Sequence, residues 1–176
     1  MWDPDVYQRY GDERSRPFFD LLGRVPAAQP RRVVDLGCGP GDLTATLAAR
    51  WPAARIEGID SSAEMIAKAA ALHAPVEFTV GDVRAWEPEP DVDVLVSNAV
   101  LQWVPGHEEL LPHWVTHVAP GAVIALQVPG NFDAPSHRAL RELAPFPVRE
   151  SPVLDPAGYA ALFTGPVDAW ETTYLH

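Results

Sequence analysis

Between Val33 and Asp42 the chain reads Val-Val-Asp-Leu-Gly-Cys-Gly-Pro-Gly-Asp. A β-type run delivers one carboxylate, Asp35, and glycines follow at Gly37, Gly39 and Gly41. Glycine lets the backbone take positive φ and come close to a bound molecule. A dinucleotide site would use Gly-x-Gly-x-x-Gly to seat a pyrophosphate on a helix N-terminus. Here the position that pattern requires is Asp42, whose charge opposes a phosphate. Asp35 suits a cationic group such as an amine. Nineteen residues beyond Gly41, Asp60 stands where nucleoside-binding folds place a carboxylate for ribose hydroxyls. A helix-capping role beside Ser61 is the alternative for Asp60. Gly81-Asp82-Val83 offers an acceptor to an exocyclic amine, or forms a surface turn. Asn98-Ala99-Val100-Leu101-Gln102-Trp103 sets amides beside a large ring, which could equally be a core tryptophan.

These residues need strands to present them. β-type runs at 31–36, 55–60, 76–80, 92–98 and 121–128 alternate with helical stretches at 42–51, 61–71 and 108–118. Pro52 stops the first of these helices, and Ser61 or Ser62 caps the second, with Glu64 in its first turn. Such alternation predicts a doubly wound, parallel α/β sheet with right-handed crossovers, whose ligands bind at the carboxyl ends of the strands. A helix over 7–22, carrying Gly11 and Pro17, precedes the repeating unit as a cap over one edge or the site. Helices over 135–143 and 156–163 and a last strand over 169–174 follow it. One domain accounts for all 176 residues: a cap or lid to residue 30, a cofactor-binding core over 31–130, and a C-terminal part over 131–176.

Composition narrows the partners. Thirteen basic against twenty-four acidic residues give a net charge of −11, and no basic run could grip a phosphate backbone. Nucleic acid is therefore not expected. No apolar run reaches the ~20 residues of a membrane span, and the N-terminus does not read as a secretory signal. A cytoplasmic protein is expected, with the oligomeric state open and a monomer preferred. Cys38 is the single cysteine, so neither a disulfide nor a cysteine-rich zinc site is available. His113 and His117 share an i,i+4 spacing without an evident third ligand, and no metal is expected.

The segment Asp35-Leu36-Gly37-Cys38-Gly39-Pro40-Gly41 resembles the first motif of the class I S-adenosylmethionine-dependent methyltransferases. Asp60, Asp82 and Asn98 fall on that class's later motif positions. Within it, the chain is most similar to the trans-aconitate methyltransferases. That likeness rests on Glu13 to Pro17, Arg50 to Ile56, Gly58 to Ser62, Leu101-Gln102-Trp103, Gln127-Val128-Pro129 and Trp170 to Tyr174. The resemblance implies S-adenosylmethionine as cofactor and S-adenosylhomocysteine as product. It implies that Asp35, Gly37, Gly39 and Gly41 hold the methionine portion, and that Asp60 takes the ribose beside Ser61 and Met65. Asp82 and Val83 would contact the adenine, Asn98 would border the methionine and methyl group, and Gln102 and Trp103 would wall the passage to the acceptor. The class ends its sheet in a hairpin with an antiparallel seventh strand. This sequence stops at His176 after its sixth, so C-terminal strands are expected to be missing.

The implied acceptor is a small polycarboxylate, most directly trans-aconitate, made into a monomethyl ester. A carboxylate is ionised near neutral pH and needs no general base, which fits the lack of an obvious His-Asp pair. Cys38 sits in the cofactor turn, away from any acceptor loop, so a covalent cytosine-type route is disfavoured. A polyanion needs local cations in an acidic protein, and Arg14, Arg16 and Arg138, with Tyr7 in the leading segment, are the candidates. The alternatives are another small-metabolite methyltransferase, a non-catalytic cofactor-binding subunit and, more distantly, a dehydrogenase.

Overall fold

The structure, a computed structural model, describes residues 11–143 and 153–174. Strands β1 (Arg32–Leu36), β2 (Arg55–Asp60), β3 (Glu77–Val80), β4 (Val94–Asn98) and β5 (Val123–Gln127) form one sheet in the order β3-β2-β1-β4-β5. Every pairing is parallel. The chain moves outward from β1 to β3, then returns to lay β4 against the other side of β1. The strand order reverses between β1 and β4, which makes the crevice at their carboxyl ends the natural ligand site.

The helices are α1 (Gly11–Gly23), α2 (Asp42–Arg50), α3 (Ala63–Ala71), α4 (His107–His117), α5 (Pro135–Leu143) and α6 (Pro156–Ala160). Period-two alternation divides the strand residues between two cores. Val33, Val94, Val96 and Ala125 pack with Phe18, Leu21 and Leu22 of α1 and Leu47 of α2. Val34, Leu36 and Leu95 pack with Leu111 and Trp114 of α4 and Tyr159 of α6. β1 is buried along its whole length, as a central parallel strand covered on both faces should be. α3 begins where Ser62 Oγ accepts from the Met65 amide at 3.3 Å.

α1 runs antiparallel to the strands. Its C-terminal end leads to Val25 and Ala27, whose carbonyls accept from Arg50 and Trp51 at the end of α2. The beginning of α1 therefore points toward the carboxyl ends of the strands. The helix continues through Pro17, so that proline does not interrupt the cap as its residue type suggests. α4 likewise carries Pro112.

The expected strand over 169–174 is not formed. Among the described residues β5 pairs only with β4, and the segment lies along α1 instead. Arg24 bonds Asp168 at 3.1 Å and stacks over the Trp170 ring at 4.1 Å. Tyr174 donates its hydroxyl to Asp20 at 2.6 Å. Alternating bulky residues do read as a strand, but here side-chain partners on a helix replaced the backbone partners a strand requires. α6 is also shorter than expected, ending at Ala160. No described helix is long and apolar enough to cross a membrane.

Candidate functional site

β1 ends in Asp35-Leu36, and the three glycines of the following turn all have positive φ. At Gly37 a Cβ would lie 2.1 Å from a methyl carbon of Val100, and at Gly41 it would lie 2.7 Å from Ala69. The turn is thus pressed between the loop after β4 and α3 at Gly37 and Gly41, where a side chain has no room, while Gly39 faces open space. Gly37 and Cys38 both donate their amides to the Ile59 carbonyl, at 2.7 and 3.0 Å, which locks the turn to the end of β2.

Asp60 completes that lock. Its Oδ2 accepts from the Gly39 amide at 2.9 Å and its Oδ1 from the Ser62 amide at 2.8 Å. Each carboxylate oxygen has a second lone pair, so the group can hold the turn and still receive ribose hydroxyls. Ser62, not Asp60, caps α3, so the capping alternative for Asp60 is not what the structure shows.

Asp35 is 3% exposed, and Thr44 on α2 donates its hydroxyl to Asp35 Oδ2 at 2.6 Å. Burial, chiefly, lifts this carboxyl to about 6; Thr44 opposes the rise and the nearby Asp60 charge adds to it. No Arg or Lys among the described residues is ion-paired with Asp35. A buried carboxylate without a cation is costly, and a ligand that carries one could offset that cost. The same burial, aided by Asp35 and Asp60, pushes the Cys38 thiol well above its usual range. Cys38 is thereby a weak nucleophile.

Asp82 stands at the end of β3, with both oxygens held by Arg84. These bonds hold its carboxyl down at about 2. Val83 turns its side chain into the core with Val34 and Leu95, leaving its backbone as the part that could meet a ligand. Ser61 is exposed and Met65 half-buried where α3 begins.

The loop after β4 is the most strained part of the site. Ala99 has φ 57°, a left-handed conformation that disfavours any residue with a Cβ. Its amide donates to the Gln127 carbonyl at 2.9 Å, and its carbonyl accepts from Gln102 Nε2 at 2.6 Å. Around it, Asn98 Oδ1, Gln102 Oε1 and Gln127 Oε1 are buried with no donor among the described residues. Asn98 and Gln127 are register partners on adjacent strands, so both face the α1 side of the sheet. Buried acceptors without donors are rare in folded proteins, and here they cluster where a donor-bearing ligand would bind. Trp103, 65% exposed, stands beside them.

The structure thus brings Asp35, Gly37, Gly39, Gly41, Asp60, Asp82, Asn98, Gln102 and Trp103 to the carboxyl ends of the strands. The cationic candidates have no bond to these residues among the described side chains. Arg16 and Arg138 are exposed on α1 and α5, the backbone of Arg14 lies in the first turns of α1, and Tyr7 lies outside the described residues. His113 bonds Glu87 at 2.6 Å and its ring meets His117 at 4.2 Å. No three His, Cys, Asp or Glu among the described residues are grouped to hold a metal. Sequence reasoning missed Thr44, Ala99 and the orphaned amide of Gln127. A hydroxyl nine residues after the turn's carboxylate was the available signal for Thr44.

Residues 33–121, which span the turn and the strands around it, match the family described as "Methyltransferase domain". Over its whole length the chain is 55% identical to the trans-aconitate 2-methyltransferase of Mycobacterium sp. (strain KMS), covering 74% of that protein. It is 54% identical to its counterpart in Mycobacterium tuberculosis (strain H37Ra), covering 72%. The chain belongs to the trans-aconitate 2-methyltransferase family. Solved structures agree on the methyltransferase fold. A putative methyltransferase complexed with the Haloferax volcanii Trm112 activator superposes with TM-score 0.69 at 24% identity, over 89% of this chain and 69% of that one. The plantazolicin methyltransferase BpumL, in complex with S-adenosylhomocysteine, does so with TM-score 0.68 at 18% identity, over 92% and 68%. As a trans-aconitate 2-methyltransferase family member, the chain is an S-adenosylmethionine-dependent enzyme.

Proposed function

We propose that this protein methylates one carboxylate of trans-aconitate to give the monomethyl ester. The acceptor assignment rests on the whole-chain likeness to enzymes of that name. The observation that carries the cofactor half is the buried, cation-free Asp35 at the mouth of the glycine turn. S-adenosylmethionine, when bound, supplies a sulfonium methyl group open to in-line displacement.

The residues then divide the work. Asp35 and the backbone of Gly37, Gly39 and Gly41 hold the methionine portion, with the Asp35 carboxylate toward its ammonium. Asp60 accepts from the ribose hydroxyls, and Met65 and Ser61 border it. Asp82 and the Val83 backbone flank the adenine. The orphaned oxygen of Asn98 faces the methionine end, and Gln102 with Trp103 walls the acceptor passage. An acceptor carboxylate is ionised at neutral pH, so no side chain has to remove a proton. What the chain contributes is alignment of oxygen, methyl and sulfur, the effect that dominates such displacements. Arg14, Arg16 and Arg138, with Tyr7, are the candidate partners of the remaining carboxylates. A −11 protein needs a locally positive approach for a trianion.

Labelled methyl transfer onto a panel of small acids tests the reading. Trans-aconitate should be preferred, with one ester formed per acceptor. Transfer to phenols or amines alone would retain the methyltransferase and discard the acceptor. By calorimetry, Asp60→Ala should weaken S-adenosylhomocysteine by about 1.5–3 kcal/mol, the scale of hydrogen bonds to a charged group. Unchanged affinity would take Asp60 out of the site.

A further inference from the structure

Thr44 is wholly buried on α2, one of whose faces covers β1 and β2, and its hydroxyl is 2.6 Å from Asp35 Oδ2. A threonine placed there for packing alone would not need its polar atom directed at a carboxylate. Asp35 has two oxygens in nonequivalent surroundings. Oδ2 carries the Thr44 bond and keeps one further lone pair, which makes Oδ1 the less occupied oxygen for a ligand. We propose that Thr44 is a positioning residue for methyl transfer: it fixes the rotation of the Asp35 carboxylate and favours its ionised form, so that Oδ1 meets the cofactor's ammonium. This rests on the reading of Asp35 as the ammonium partner.

The groups around Asp35 set the electrostatics. Asp60, at the end of β2, repels its charge, and the Cys38 thiol in the turn is neutral because burial and both carboxylates hold its proton. From β4, Ser97 directs its hydroxyl at the Leu36 carbonyl at 3.1 Å and offers Asp35 nothing. Thr44 is thus the donor that opposes desolvation. A hydrogen bond to the charged form lowers a carboxyl pKa. Without the hydroxyl, Asp35 keeps its proton to higher pH, and an ammonium then meets a neutral acid.

Calorimetric titration of the full chain tests this, with S-adenosylhomocysteine as probe and 5′-methylthioadenosine, which lacks the amino-acid end, as control. The unaltered protein should bind S-adenosylhomocysteine more weakly as pH falls through about 6, and should release a proton on binding in that range. Thr44→Val, nearly isosteric, should move the fall-off upward by about one pH unit, which weakens S-adenosylhomocysteine about twofold at pH 7 and nearly tenfold at about pH 5, one unit of pKa being at most a tenfold effect. Thr44→Ser should restore both, and 5′-methylthioadenosine should be unaffected throughout. Equal weakening of both ligands by Thr44→Val, with no displacement of the pH profile, would show a packing role and overturn the proposal. So would an unaltered profile in Thr44→Val, or an unaltered protein whose binding releases no proton near pH 6. If the unaltered protein binds 5′-methylthioadenosine but gains nothing from the amino-acid end, the assignment of Asp35 fails first. If it binds neither ligand, the proposed function itself fails.

Discussion

The two ends of the sheet are built on opposite principles. At the amino ends of the strands, charge is matched by charge. Arg32, with a side chain 8% exposed, forks onto Glu57 at 2.7 and 2.9 Å and also reaches Glu89 and Asp91, each at 2.8 Å. Arg31 pairs with Asp93, and Arg55 bridges Glu57 and Glu77. At the carboxyl ends, among the described residues, Asp35 has no paired cation and three amide oxygens have no donor, and Ala99 is left-handed. One end is complete without a ligand; the other is not. Strain and unmet polar groups at functional sites are stabilised by the rest of the structure, and here the satisfied end is that support.

The sharpest way to break this contrast is Arg32→Met. It strands Glu57 with part of its partnership gone, and removing one member of a buried pair destabilises by about 3–5 kcal/mol. Denaturant unfolding should show that loss, while the folded fraction binds S-adenosylhomocysteine with ordinary affinity. Weakened binding in proportion to stability would mean that the two ends are not separable.

Gln127→Leu should do the reverse. Replacing a buried acceptor that lacks a donor removes a penalty of about 1–3 kcal/mol, so stability should hold or rise while methyl transfer falls, the usual exchange at functional sites. A variant that unfolds more easily and turns over normally would mark Gln127 as ordinary packing.

Ala99→Gly has the smallest expected effect. The left-handed conformation disfavours alanine by about 1–2 kcal/mol, and the extra chain entropy of glycine offsets about 0.5–1 of it. A rise in melting temperature of a few degrees would locate real strain. A fall would show that Gln102 and Gln127 hold the residue without tension.

Much of this was written in residue type and spacing. The five strands were readable because each is a short β-type run closed by a carboxylate, glycine or amide at its carboxyl end; β1 and β4 also show the continuous burial of central parallel strands, which the exposed edge strand β3 lacks. The glycine turn and Asp60 were readable because backbone approach and ribose recognition each demand one residue type. Asp35's isolation was not, since the absence of a neighbouring cation belongs to three dimensions. Nor was the fate of 169–174: Trp170, Thr172 and Tyr174 alternate as a strand would, and only the positions of Asp20 on α1 and Arg24 just past its end explain why they bind there. Gln127 drew notice as part of a motif, but its orphaned oxygen depends on its register with Asn98.

That attachment of α1 has a bearing on the order in which the molecule assembles. Asp168 and Tyr174 meet Arg24 and Asp20 across sequence separations of 144 and 154 residues. A ribosome completes α1 long before it supplies the residues that fasten it. Closing so long a loop is entropically unfavourable, and exposed ion pairs return little for it. The strap is therefore expected to fasten after the sheet has formed and to come undone before the sheet melts. The strap thus closes over a helix that Phe18, Leu21 and Leu22 already hold to the sheet.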